Sequence, residues 1–136
     1  MKLTEYLKHF IGRPYIWAGN GSGESAGFDC SGLVLEGLWA LGLYSGKDVS
    51  AQDLYNSLRA AGWAPVPRFL ESDCDILFFG KSTSKITHVA VALNSELMLE
   101  AGGGGDKCKT LKTSTGFVRV RPICSRKDLV AALRSI

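Results

Sequence analysis

The segment from Cys30 to Leu43, "CSGLVLEGLWALGL", constrains the fold of this chain more than any other. Leu33, Val34, Leu35, Leu38, Trp39 and Leu41 put apolar side chains nearly all round a helical wheel, so this helix cannot keep one wet face. It must be central, and the rest of the chain must cover it. "SAQDLYNSLRAAG", from Ser50, reads as an amphipathic helix with a serine N-cap and a glycine stop at Gly62. Thr4 is placed to cap a first helix through Phe10, which Gly12, Arg13 and Pro14 end. Beyond "WAPVP" the character changes. "CDILFFG", "THVAVALN", "LMLEAG" and "GFVRVRPI" are short, apolar and separated by turn residues, the pattern of an antiparallel meander. Ser125, with Asp128 three residues later, marks a terminal helix through about Arg134. Helices first and strands later give an α+β class: N-terminal helices packed on a central antiparallel β-sheet, with a short C-terminal helix. The 136 residues show no linker and no internal repeat, which fits one domain over 1–136.

Composition narrows the function classes. With 46% hydrophobic and 21% charged residues the chain is of ordinary globular type. Its formal charge of +3 suits an anionic substrate but is too small to argue for nucleic acid. The basic residues Lys107, Lys109, Lys112, Arg119, Arg121, Arg126 and Lys127 are spread over several segments and read as a solvated face. Glu5, Lys8 and His9 interrupt any hydrophobic run in "MKLTEYLKHF", so neither a signal peptide nor membrane insertion is expected. Cys30, Cys74, Cys108 and Cys124 match no C-x-x-C spacing, and the only histidines are His9 and His88. No metal site or cofactor is expected, and the thiols read as free, in a reducing compartment.

One cysteine stands apart. In "FDCSGLV", Cys30 lies where a Gly- and Ser-rich loop, "PYIWAGNGSGESAGFD", becomes the central helix. Unpaired N–H groups at a helix start favour a thiolate and can stabilise an oxyanion. Position alone leaves two readings, a nucleophile or a small buried hydrophobe. A nucleophile needs a base, and His88 is the better placed histidine. Strand alternation puts His88 on a face with Ala90 and Ala92, leaving room beside it, while Val89, Val91 and Leu93 face a core. After a turn near Asn94 the chain returns as "LMLEAG". An odd-numbered loop sets Glu100 opposite His88 or one pair away on the same face, within reach of the ring. A carboxylate there would orient the imidazole and stabilise its cation. An even-numbered loop would turn Glu100 to the other face.

"RPYIWAGN", "GFDCSGLV", "DILFF", "THVAVAL" and "LMLEAG" together resemble, in order, the signature segments of the NlpC/P60 cysteine peptidases. The resemblance spans about residues 12–102. It implies a papain-like α+β fold and cleavage of the stem peptides of bacterial cell walls. By position it makes Cys30 the nucleophile and His88 the general base. Glu100 falls where the family usually has a second histidine. Tyr15 matches a tyrosine beside the nucleophile that helps position the substrate or its oxyanion. Asp29 and Ser31 match residues that bind the free amine of the stem peptide in some members. Trp17 reads as packing, and "WAG" stands for the usual "WGG".

The implied reaction is hydrolysis of a stem-peptide amide, between D-glutamate and a diamino acid, through an acyl-enzyme on Cys30. Glycines 102–105 lack the Lys-Ser/Thr ending of a phosphate loop and read as a flexible rim of the cleft. The partner implied is the peptidoglycan stem peptide. The resemblance to compact phage and prophage members adds tail or lysis components, with synthesis in the cytoplasm and action at the wall. Two other readings stay open: a cysteine acyltransferase on the same scaffold, and a catalytically silent phage-tail module that holds peptide.

Overall fold

A helix that is apolar nearly all round needs cover nearly all round, and α2 (Cys30–Ala40) receives it. Leu33, Val34, Leu35 and Leu38 are fully buried. In the computed structural model, which describes residues 1–19, 27–105, 107–110 and 112–135, α2 packs against α1 (Leu3–Leu7), α3 (Ala51–Ala60) and the middle of a β-sheet. The centre of the expected Gly- and Ser-rich loop, residues 20–26, lies outside the described residues. Helix α3 starts as its sequence predicts: the Ser50 hydroxyl accepts from Asp53 N at 3.2 Å, and Gly62 follows the helix at φ +93°. Thr4 is not a cap. It sits inside α1, buried, and donates to Asp73 Oδ1 at 2.7 Å.

The sheet has six strands: β1 (Ala64–Pro65), β2 (Ile76–Gly80), β3 (Ile86–Ala92), β4 (Leu97–Gly102), β5 (Phe117–Pro122) and β6 (Leu129–Arg134). Their spatial order is β1-β6-β2-β3-β4-β5, with every neighbouring pair antiparallel. Strands β2 to β5 form the expected meander. Ile76, Phe78, Val89, Val91 and Leu99 face the helices and complete the main core. Leu77, Phe79, Ala90, Ala92 and Met98 point the other way, into a smaller cluster closed by Ile123 and Ala132.

The α+β class holds, but the chain ends in a strand where a short C-terminal helix was expected. The reason is the free edge of β2. That strand is buried along its whole length, and β3 covers only one of its edges. The N–H and C=O groups on the other edge would be buried without partners. Residues 129–134 supply those partners, pairing Ile76 with Leu133 and Phe78 with Ala131. The supposed capping pair has other work. Ser125 Oγ donates to Pro122 O at 2.6 Å, and Asp128 is held by Arg126 through two bonds of 3.0 and 2.8 Å.

Candidate active site

Helix α2 begins at Cys30 because Asp29 caps it. Asp29 has extended backbone angles, and its Oδ1 accepts from Gly32 N at 2.6 Å and from the Ser31 hydroxyl at 3.4 Å. Burial pushes the Asp29 carboxyl above the usual range, against the lowering effect of its bonds from the Gly32 and Ala18 amides. A Cβ at Gly32 would collide with the Gly19 carbonyl, so glycine there lets the incoming chain lie on the first turn. Asp29 N donates to Gly19 O at 3.0 Å, and Tyr15 bridges to Phe28 in parallel. The nucleophile candidate is thus fixed from both sides, with its side chain half-buried.

His88 and Glu100 meet as the strand alternation requires. The register Val91↔Leu99 and Ala92↔Met98 sets Glu100 one pair along from His88, on the same face. His88 Nε2 lies 2.7 Å from Glu100 Oε1, and both side chains are buried. An ionised carboxylate only accepts, so Nε2 carries the proton. That leaves Nδ1 as the ring nitrogen able to exchange a proton. Burial alone would drive the imidazolium pKa down. Hydrogen bonds to Cys30 and Glu100, and the charges of both, outweigh burial and raise it from 6.5 to about 9. For Glu100, burial pushes up, but the bond to His88 and the Arg119 guanidinium bring the carboxyl down from 4.5 to about 2. Imidazole and carboxylate thus form one bonded pair, with Cys30 beside them on the same cleft and close enough to help hold the ring charged.

Cys30, His88 and Glu100 line a cleft of about 390 Å³ together with Tyr15, Trp17, Thr87 and the 102–105 glycines. The glycine rim expected from the sequence is thus part of the cleft wall. Gly104 rests against the Tyr15 ring, where a Cβ would clash. Trp17, expected to pack, is instead 48% exposed on the wall. Asp29 and Ser31 are not among the lining residues, and the observed contacts of Asp29 are those of a helix cap. A larger concavity of about 510 Å³, bounded by Val66, Arg68, Glu71 and residues 123–132, contains Cys124 but no imidazole among its described lining residues. Cys30, Cys74 and Cys124 are free thiols. Among the described residues no cluster of three His, Cys, Asp or Glu side chains is arranged to hold a metal ion, and no helix is long and apolar enough to cross a membrane.

Sequence reading missed Arg119 and Arg121, which it assigned to a solvated face. Strand β5 pairs Glu100 with Arg119 and Met98 with Arg121. Arg119 Nε donates to Glu100 Oε2 at 3.0 Å, and Arg121 Nη1 donates to the same oxygen at 3.3 Å. A signal was present. "RVR" places two arginines two residues apart, on one face of a strand, in a chain with a lone glutamate in an apolar strand.

The sequence profile of the NlpC/P60 family matches residues 12–126. Over 119 residues the chain is 34% identical to the peptidoglycan endopeptidase RipA of Mycobacterium tuberculosis. That match covers 77% of this chain and 22% of RipA, so the chain spans under a quarter of that relative. Among solved structures, the peptidoglycan hydrolase RipB of M. tuberculosis aligns with a TM-score of 0.70 at 26% identity, covering 97% of this chain and 62% of RipB. RipD of M. tuberculosis, a non-catalytic NlpC/p60 domain protein adapted to peptidoglycan binding, aligns with a TM-score of 0.70 at 22% identity over 98% of this chain and 95% of its own. The likeness to RipD is one of fold alone.

Proposed function

The chain belongs to the NlpC/P60 family, and from that premise we propose that it is a cysteine peptidase that hydrolyses a stem-peptide amide of peptidoglycan, the bond between D-glutamate and a diamino acid. The observation that carries this reading is the buried His88–Glu100 pair, which shares the wall of an open cleft with Cys30. A module that only held peptide would have no use for a buried imidazole anchored by a buried carboxylate. The relatives named for peptidoglycan hydrolysis support the substrate class.

In the proposed cycle the Cys30 thiolate attacks the carbonyl carbon of the amide. The oxyanion is received at the start of α2, by the N–H groups of Cys30 and Ser31. Gly32 N is already given to Asp29. The His88 imidazolium then transfers its Nδ1 proton to the departing amine, and the C–N bond breaks to leave a thioester. Neutral His88 next takes a proton from water as that water attacks the thioester. The acid is released, and the thiolate–imidazolium pair is restored. Glu100 keeps Nε2 protonated and the ring in orientation throughout. Tyr15, on the wall beside the glycine rim, positions the substrate. Asp29 and Ser31, adjacent to the nucleophile in sequence, are assigned the free amine of the stem peptide.

Purified muropeptides incubated with wild type and with Cys30→Ala, with products read by mass spectrometry, test this directly. Defined fragments from wild type and none from the variant are expected, and their masses name the bond. Diversion of the acyl group to an added amine in preference to water would favour an acyltransferase instead. Binding by both proteins with cleavage by neither would leave a peptide-holding module.

A further inference from the structure

Among the described residues the charges around the cleft do not balance: the lining includes three arginines, Arg119, Arg121 and Arg126, and one carboxylate, Glu100. Arg126 is matched by Asp128 through two hydrogen bonds. Glu100 faces three cations at once, the His88 imidazolium, Arg119 and Arg121. Three cations thus share one carboxylate among the described residues. The two arginines are not equivalent. Arg119 lies against the backbone of Gly102 and Gly103 and holds Glu100 at 3.0 Å. Among the described residues the Arg121 guanidinium makes a single, longer bond of 3.3 Å, and its side chain is 30% exposed. Glu100 itself is 1% exposed and already accepts three hydrogen bonds, so it has little left to offer. A guanidinium with unused donors on an open wall is matched in shape and charge by a carboxylate.

We propose that Arg121, supported by Arg119, forms an anion subsite in the cleft that receives a free carboxylate of the substrate beside the scissile amide. This deepens the peptidase reading and rests on it. The subsite selects stem peptides whose glutamyl carboxylate is free over those in which it is a carboxamide. An amide offers one oxygen and no charge, so the substitution removes the charge-assisted bond while leaving size and shape the same.

Two synthetic stem peptides that differ only in that group, acid or amide, test the proposal. Their binding is measured by calorimetry with Cys30→Ala, and their cleavage with wild type. The expected result is roughly tenfold tighter binding of the acid, with the preference falling to about twofold or less when Arg121→Gln is added. Arg121→Lys, which keeps the charge but not the fork, should retain an intermediate preference. The ratio separates recognition from damage to the site, since a misplaced Glu100 would weaken both peptides alike. Equal binding of the two peptides, or a preference that survives Arg121→Gln, would overturn the subsite. Cleavage is a separate readout: a binding preference without cleavage would sink the peptidase reading and leave the subsite standing.

Discussion

Two buried carboxylates of the sheet region, each 1% exposed, are handled in opposite ways. Asp75, just before β2, is matched one to one. Arg134 grips it through Nε and Nη2 at 2.9 and 2.8 Å, and Ser72 N adds a third bond at 2.9 Å. That same arginine ties down the Leu70 carbonyl and the Ser72 hydroxyl, closing the edge of the sheet. The local charges cancel. Glu100, on β4 beside His88, is outnumbered by cations and touches the one imidazole in the cleft. A balanced pair locks a structure. An unbalanced one holds a neighbouring group in a charged state, ready for chemistry, and leaves room for a substrate's charge.

The sharpest way to break this comparison is to neutralise each carboxylate without changing its size. Glu100→Gln should cost hydrolysis a factor on the order of 10²–10⁴ in kcat, because His88 loses the group that fixes its proton on Nε2. Its effect on stability should be smaller, about 2 kcal/mol, since His88 can release its proton and both arginines reach solvent. Asp75→Asn should do the reverse. The melting temperature falls, while kcat/KM per folded molecule stays within about twofold of wild type. A large activity loss in Asp75→Asn, measured on protein shown to be folded, would erase the distinction.

The pH dependence of stability should carry the same signature. The folded-state pKa of His88 is raised from 6.5 to about 9, so its contribution is complete below pH 6.5 and is lost as pH rises through 9. That of Glu100 is lowered from 4.5 to about 2, so its contribution is complete above pH 4.5 and is lost as pH falls through 2. Together they give a plateau between these limits, with a decline on either side. Denaturant titrations across pH should show the alkaline limb moving to lower pH in Glu100→Gln and staying in place in Asp75→Asn. The smallest expected effect concerns the segment that delivers Tyr15. Ala18 has φ +60°, in the left-handed region that favours glycine. Ala18→Gly should therefore stabilise the fold by about 1 kcal/mol in chemical denaturation. A neutral or destabilising result would show that the loss of backbone entropy outweighs the relieved strain.

What could be read from the sequence depended on how far apart the interacting residues lie. The central place of α2 was visible because Leu33 to Leu41 carry a single charged residue, Glu36, among apolar ones nearly all round. His88 and Glu100 could be brought together because a short hairpin joins their strands and alternation does the rest. The long connection from Gly102 to Phe117 fixes no register by itself, so the meeting of Arg119 and Arg121 with Glu100 stayed hidden. "LVAALR" is apolar enough for either a helix or a strand, and the choice was made by the open edge of β2, more than 40 residues away in sequence. Trp17 and Gly104 likewise take their places on the cleft wall only once the segment 12–15 pairs with the outer edge of β5, through Gly12 N to Val118 O and Val118 N to Arg13 O, both at 2.8 Å.

The most direct single test is an NMR titration of the His88 ring in wild type and in Glu100→Gln. The expected result is an imidazolium that persists to about pH 9 in wild type, with its pKa clearly lower in the variant. A wild-type ring that titrates near 6.5, unmoved by the substitution, would contradict the claim that Glu100 holds His88 charged for catalysis.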